Sequence, residues 1–318
     1  MNRLVVRLAL KWFNHDLYAG MKILVTGSSG KLGSLTVKLL NQMGHEAWGA
    51  DLLPGAATHY LTDVKNKDQM FEITKGVDAV IHTAALHGKH MDLNFSREEF
   101  VDTNIKGTLN LLNACVANGV SKFLFTSSTS IYGRSLVNTH QAVWVDENLE
   151  VQPRDIYDIT KQACEELCRD FFDREQLQAT VYRVGRFLPE PADLMLNHRL
   201  YRGLDERDGA EALRLAVEHD FEQFEIFNVS GGSAFGKEDL IELKEDAAKV
   251  IAKYFPEAPN LYKHKNWQLP ACIDRVYCCD KAVEILNYQP KYTFRFLLDQ
   301  QLGSSTDFDQ RSFLCFPR

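Results

Sequence analysis

Residues 21–33 read Met21-Lys22-Ile23-Leu24-Val25-Thr26-Gly27-Ser28-Ser29-Gly30-Lys31-Leu32-Gly33. The apolar run Ile23 to Val25 predicts a buried strand, and the glycine-rich turn behind it leads into an amphipathic segment. Strand, glycine turn and helix start form the layout of a nucleotide-binding βα unit. Gly27 would allow the tight turn, Gly30 would let a pyrophosphate reach bare backbone, and Gly33 would let the helix pack on the strand. Free N–H groups at the helix start would then face the phosphates.

The same alternation continues downstream. Leu35, Val37, Leu39, Leu40 and Met43 recur at near-helical spacing, and Gly44 supplies a stop. His45 to Ala50 predicts a second strand that ends at Asp51, 18 residues after Gly33. A carboxylate there would hold the ribose hydroxyls of an adenosine and repel a 2′-phosphate, which favours NAD over NADP. The alternative is that Asp51 only caps a turn. Tyr60 to Val64 predicts a short strand carrying Asp63, Asp68 to Thr74 a helix, and Val77 to His82 a buried strand followed by Thr83-Ala84-Ala85. Glu98 to Val116 predicts one long helix with Asn104 and Gly107, and Lys122 to Phe125 a strand running into Thr126 to Ser130. Regular alternation implies an α/β fold: a Rossmann-type, doubly wound parallel sheet with helices on both faces and ligands beyond the carboxyl ends of its strands.

Composition sets outer bounds. The chain has 318 residues, 45% hydrophobic and 25% charged, as in ordinary globular domains. A net charge of −7 argues against nucleic acid as the main partner. No apolar run reaches the roughly 20 residues of a membrane span. The seven cysteines form no C-x-x-C pair or zinc spacing, so no metal is expected, and the odd count fits a reducing compartment, taken as the cytoplasm. Residues 1–20 read as an N-terminal extension, 21–185 as the NAD-binding domain, 186–303 mainly as a substrate-binding subdomain with returning sheet elements, and 304–318 as a tail.

The chemistry enters with Tyr157-Asp158-Ile159-Thr160-Lys161. Tyrosine and lysine four apart share one helix face. A phenol is a poor base at neutral pH, and a neighbouring ammonium would favour the phenolate. Ser128 would hold a substrate hydroxyl toward Tyr157. The expected reaction removes the alcohol proton with Tyr157 while a hydride passes to nicotinamide, and Lys161 holds the nicotinamide ribose.

The series TGSSGKLG, Asp51, Asp63, HTAA, TNIKGTLN, FTSSTSIYG and YDITK resembles the extended short-chain dehydrogenase/reductases, within them the NAD-dependent epimerase/dehydratase family. The resemblance implies the following roles. Gly27, Gly30 and Gly33 form the phosphate turn, with Leu32 donating a backbone N–H. Asp51 holds the adenosine ribose, and Asp63 and Val64 flank the adenine. Thr83, Ala84 and Ala85 line the cofactor groove. Asn104 organises a proton-relay water, and Ser128, Tyr157 and Lys161 complete the catalytic set. It also implies a homodimer built on the helices bearing Asn104 and Tyr157; Leu109, Leu112, Phe171 and Phe172 suit that contact or the core equally.

Departures from the family concern the substrate. Arg186 stands where the epimerases carry an asparagine. It would suit a carboxylate or phosphate, or would pair with a local acid such as Glu190 or Asp193. The segment from Phe187 to Arg202 is short and resembles the uronate dehydrogenases, although their uronate-holding residues do not carry over. His87, Lys89 and His90 lie in the loop that borders the substrate in this fold; they would contact a polar or anionic ligand, or else stand by as surface residues. Asp205 to His219 is expected as a helix over the substrate pocket, and Lys237 to Tyr254 as one longer helix. The expected function is oxidation of a hydroxyl on a sugar or sugar derivative; the alternatives are a nucleotide-sugar epimerase that retains its NAD and a non-catalytic NAD-sensing protein.

Overall fold

The computed structural model describes residues 20–303. The tail expected over 304–318, and the extension expected over 1–20 apart from Gly20, lie outside them.

Seven strands form one all-parallel sheet in the order β3-β2-β1-β4-β5-β7-β8. They are β1 (Lys22–Thr26), β2 (Glu46–Asp51), β3 (Tyr60–Leu61), β4 (Ala79–His82), β5 (Lys122–Ser128), β7 (Gln178–Val184) and β8 (Ile226–Val229). A second, two-stranded parallel sheet pairs β6 (Val143–Val145) with β9 (Arg275–Tyr277). The sheet order reverses between β1 and β4, so their carboxyl ends open a crevice, the usual ligand position in such sheets.

Each face of the large sheet is sealed by its own core. On one face, helix Lys31–Gln42 buries Leu32, Gly33, Thr36, Val37 and Leu40, a stripe repeating every three to four residues. Burying a side chain such as Leu40 contributes about 2 kcal/mol. Helix Glu206–Val217 lies on the same face, with Ala210, Leu213 and Val217 packed among Ile23, Val25 and Val37. It therefore covers the sheet and not the substrate pocket: its acid-led start marked a helix, but its small buried residues fit a close sheet-facing contact. The opposite face carries Met70, Leu111, Leu112, Cys115, Cys164 and Cys168. Leu112 is fully buried there, and the partly buried Phe171 and Phe172 pack against that core. A third core, with Leu196, Leu243, Val250, Ile251 and Phe294, builds the C-terminal subdomain.

Three expected elements differ locally. The helix expected over Glu98 to Val116 consists of Arg97–Phe100, a π-helical stretch Val101–Lys106, and Gly107–Asn118. The wider π turn contains Asn104, and such turns accompany functional residues. The helix expected over Lys237 to Tyr254 breaks at Asp246 (φ −150°, ψ 75°), whose side chain caps Ala247–Tyr254 by accepting from Lys249 N. β3 stops at Leu61, leaving Asp63 and Val64 in the following turn. No described helix is long and apolar enough to cross a membrane, and no described His, Cys, Asp or Glu side chains group to hold a metal.

Candidate active site

Gly27 sits at the end of β1 with φ +75°, a conformation that side chains disfavour. A Cβ on Gly27 would meet Thr83 Oγ1 at 2.6 Å and Ala84 N at 2.7 Å, and one on Gly33 would fall 2.2 Å from Gly27 O. Gly30 differs, because its Cβ would meet only Gly27 O at 3.2 Å. Gly27 and Gly33 are thus required by packing, whereas Gly30 is less crowded, with a single tight contact to Gly27 O. The Asp51 carboxylate is tied to this turn, accepting from Ser29 N at 2.9 Å and Leu53 N at 2.9 Å. Thr83 Oγ1 donates to Thr26 O at 2.7 Å and closes the crevice floor between β1 and β4. Bare backbone beside a helix N-terminus, with a carboxylate at the next strand end, fits an adenosine dinucleotide. Val64 is buried against Gly107, and Asp63 pairs with Lys65 at 3.3 Å.

Next along the edge is the helix Ile156–Arg174, capped by Asp155, whose side chain accepts from Asp158 N. It brings Tyr157 and Lys161 against the end of β5. Burial pushes the Tyr157 phenol up to about 12. The Ser128 hydroxyl opposes that rise, whereas Asp158 and Asp155 add to it. Ser128 also caps the turn after β5, accepting from Ser130 N at 3.1 Å, and its hydroxyl donates to Ser130 Oγ at 2.9 Å. Lys161 is buried, donates to Thr126 O at 2.7 Å, and lies 4.6 Å from the Phe125 ring centroid. Burial brings its ammonium down to about 8. The groups that shift Tyr157 here are burial, Ser128, Asp158 and Asp155, while the Lys161 ammonium donates to the Thr126 carbonyl.

Asn104 is held through both its side chain and its main-chain carbonyl. Its Oδ1 accepts from Leu86 N at 2.8 Å, and its Nδ2 donates to Leu86 O at 3.0 Å and Thr160 Oγ1 at 2.9 Å. Its main-chain carbonyl accepts from Thr108 Oγ1 at 2.6 Å and Cys164 Sγ at 3.2 Å. Asn104 therefore acts as a clamp between Leu86 and the helix that bears Tyr157. Behind it, His82 bridges Thr26 Oγ1 (2.6 Å) and Thr108 Oγ1 (3.0 Å). Since the Thr108 hydroxyl proton goes to Asn104 O, His82 Nε2 must donate to Thr108, and Nδ1 accepts from Thr26. Burial, reinforced by Lys161, brings His82 down to about 3, so it is neutral. Sequence reading missed Thr160, Thr108 and His82; Thr160 three residues after Tyr157 and Thr108 four after Asn104 were the available signals.

Arg186 is engaged by Glu190, with Nε donating to Oε1 at 2.7 Å. Glu190 also accepts from His198 Nδ1 at 2.5 Å, and His198 Nε2 accepts from Arg202 Nη2 at 2.7 Å. Of the two roles open to Arg186, the local pair is present.

The profile of the "NAD dependent epimerase/dehydratase family" matches residues 23–190, more than half of the chain. The chain belongs to that family. That family is NAD-dependent. The chain is similar to a UDP-glucose 4-epimerase of Klebsiella pneumoniae, 37% identical over 131 residues, covering 36% of this chain and 93% of that sequence. It is also similar to a uronate dehydrogenase of Pseudomonas syringae pv. tomato, 27% identical over 176 residues, covering 54% of this chain and 61% of that protein. A solved short-chain dehydrogenase/reductase superfamily protein from Agrobacterium tumefaciens with bound NAD superposes with a TM-score of 0.65. It is 20% identical and covers 88% of this chain and 95% of its own, a likeness of fold.

Proposed function

We propose that this family member is an NAD-dependent oxidoreductase acting on a hydroxyl of a sugar or sugar derivative, with Tyr157 as base. One arrangement carries the reading: Tyr157, Lys161 and Ser128 meet at the carboxyl end of β5, beside the glycine cradle at the end of β1. NAD, when bound, supplies the hydride acceptor. Gly27, Gly30, Leu32 and Gly33 would hold its pyrophosphate, Asp51 its adenosine ribose, Asp63 and Val64 would flank the adenine, and Thr83, Ala84 and Ala85 would line the groove.

Ser128 releases Ser130 and takes the substrate hydroxyl, aiming it at Tyr157. Tyr157 takes the alcohol proton at its phenolic oxygen. In the state described its pKa is about 12, so catalysis needs positive charge drawn toward it. Lys161, one helical turn after Tyr157 on the same helix, would supply that charge and hold the nicotinamide ribose. Asp51 favours NAD over NADP, because its carboxylate is fixed on the turn and repels a 2′-phosphate.

Dehydrogenation is favoured over epimerisation by the small substrate segment, where a single short helix, Ala192–Arg199, follows the Arg186–Glu190 pair. The similarity to the Klebsiella sequence supports the second reading, a redox-neutral epimerase. Incubation with NAD and a sugar panel separates them. Steady NADH formation supports the dehydrogenase, a changed sugar without NADH the epimerase, and neither outcome with bound NAD rejects both.

A further inference from the structure

Asp158 follows Tyr157 in the first turn of helix Ile156–Arg174 and is fully buried. Its Oδ2 accepts from Arg154 N at 3.2 Å, whereas its Oδ1 is buried without a hydrogen-bond partner. The hydroxyl that acts on this carboxylate is that of Ser130, which favours its charged form. Ser130 in turn receives the Ser128 hydroxyl at 2.9 Å. Two serine hydroxyls therefore lead from the catalytic turn toward a buried aspartate beside the base.

Each serine hydroxyl has one proton to give, and an ionised carboxylate can only accept. While Asp158 is ionised, the Ser130 proton turns to it, the Ser130 oxygen is left to accept, and the Ser128 proton points inward. Oxidation of an alcohol asks the opposite. The alcohol's single proton leaves to Tyr157, so its oxygen must accept from Ser128, and that bond strengthens as negative charge develops on the oxygen. The charged and titratable groups facing Asp158 are Arg154 and Asp155 at the helix start and Tyr157 beside it, while the turn after β5 presents the Ser130 hydroxyl. Burial, the largest influence, holds the Asp158 carboxyl above the usual aspartate range.

We propose that Asp158 is a positioning residue that sets the direction of the Ser128 hydroxyl. Ionised, it draws the Ser128 proton toward Ser130 and away from the substrate. Protonated, it donates to Ser130 and turns the two hydroxyls outward, so that Ser128 donates to the substrate oxygen. The inference rests on the reading of Tyr157 and Ser128 as an alcohol-oxidising pair, and it adds the group that decides when Ser128 leaves Ser130.

The test uses the full chain, NAD and a sugar that wild type turns over in the panel, with turnover read as NADH or as changed sugar. Asp158→Asn carries a permanent side-chain donor and stands in for the protonated acid. It should raise kcat/KM at neutral pH about tenfold, the value of one hydrogen bond. As pH falls through the Asp158 titration, wild type should converge on Asp158→Asn, because both then present a donor to Ser130. Ser130→Ala separates this route from the charge that Asp158 places beside Tyr157. It cuts the link and leaves the charge, so Asp158→Asn should gain less in that background. Ser130→Ala alone should also raise kcat/KM, a result that stands even if Asp158→Asn fails to fold. No gain in Asp158→Asn, equal gains with and without Ser130, a ratio to wild type that does not change with pH, or a reduced kcat/KM in Ser130→Ala each overturn the proposal. If wild type binds NAD and turns over no sugar, the alcohol-oxidising reading itself fails and takes this proposal with it, a result read before any variant is made.

Discussion

Asn104 and Leu86 are joined by two hydrogen bonds, Leu86 N to Asn104 Oδ1 at 2.8 Å and Asn104 Nδ2 to Leu86 O at 3.0 Å. Because Nδ2 also reaches Thr160, truncation leaves several polar groups without partners. Asn104→Ala should lower stability by about 2–4 kcal/mol, since each stranded buried group costs about 1–3 kcal/mol. Asn104→Asp should be little better, because it keeps the acceptor and loses both donated bonds. Urea denaturation of the two variants measures this.

Tyr157→Phe and Lys161→Met should each reduce turnover at least about a hundredfold, the usual minimum for general acid–base groups. The two variants should differ in cofactor binding. Lys161→Met should weaken NAD in an equilibrium titration, whereas Tyr157→Phe should leave it nearly unchanged. Full turnover in Tyr157→Phe would end the assignment of the base.

Two of the turn glycines, Gly33 and Gly30, should separate by phenotype. Gly33→Ala places a Cβ on the Gly27 carbonyl and should destabilise the fold by about 1–3 kcal/mol through overpacking. Gly30 has φ −76° and one tight contact for a Cβ, Gly27 O at 3.2 Å, so Gly30→Ala should cost less stability than Gly33→Ala while losing dinucleotide affinity. Thermal melts paired with NAD titrations distinguish the two.

Asp51→Ala should move the NAD/NADP preference toward NADP by at least about tenfold, one unit of 1.4 kcal/mol. Steady-state KM values for the two dinucleotides give the ratio. No change would assign Asp51 to the turn alone, through its bonds to Ser29 and Leu53.

His82 makes stability depend on acid. Its pKa in the fold, about 3, lies below the ordinary 6.5 of an unfolded histidine. Between those values the unfolded chain binds the extra proton, so this stabilisation is complete above pH 6.5 and is lost as pH falls toward 3. The loss amounts to roughly 3 kcal/mol between pH 7 and pH 4. Comparing wild type with His82→Asn across that range should show the variant's stability curve flatter by up to about 1.4 kcal/mol per pH unit, one proton's worth.

The sequence by itself determined the parallel sheet, the glycine turn and the order of the strand ends. Those features rest on short-range patterns: apolar runs such as Ile23 to Val25, the Leu32, Val37 and Leu40 stripe, and glycines where no Cβ fits. It also marked Tyr157 and Lys161, because a spacing of four puts both on one helix face. Tertiary structure decided what each polar group does once placed. Asn104 became a clamp because the π turn brings it to Leu86 and Thr160 together. Arg186 closed on Glu190 because the chain after β7 folds back on itself. The Glu206–Val217 helix went to the sheet because its small buried residues pack on helix Lys31–Gln42 and β1. Hydrogen-bond partners far apart in the chain, such as Thr26, His82 and Thr108, become neighbours only after the sheet has assembled, and their protonation follows from that burial.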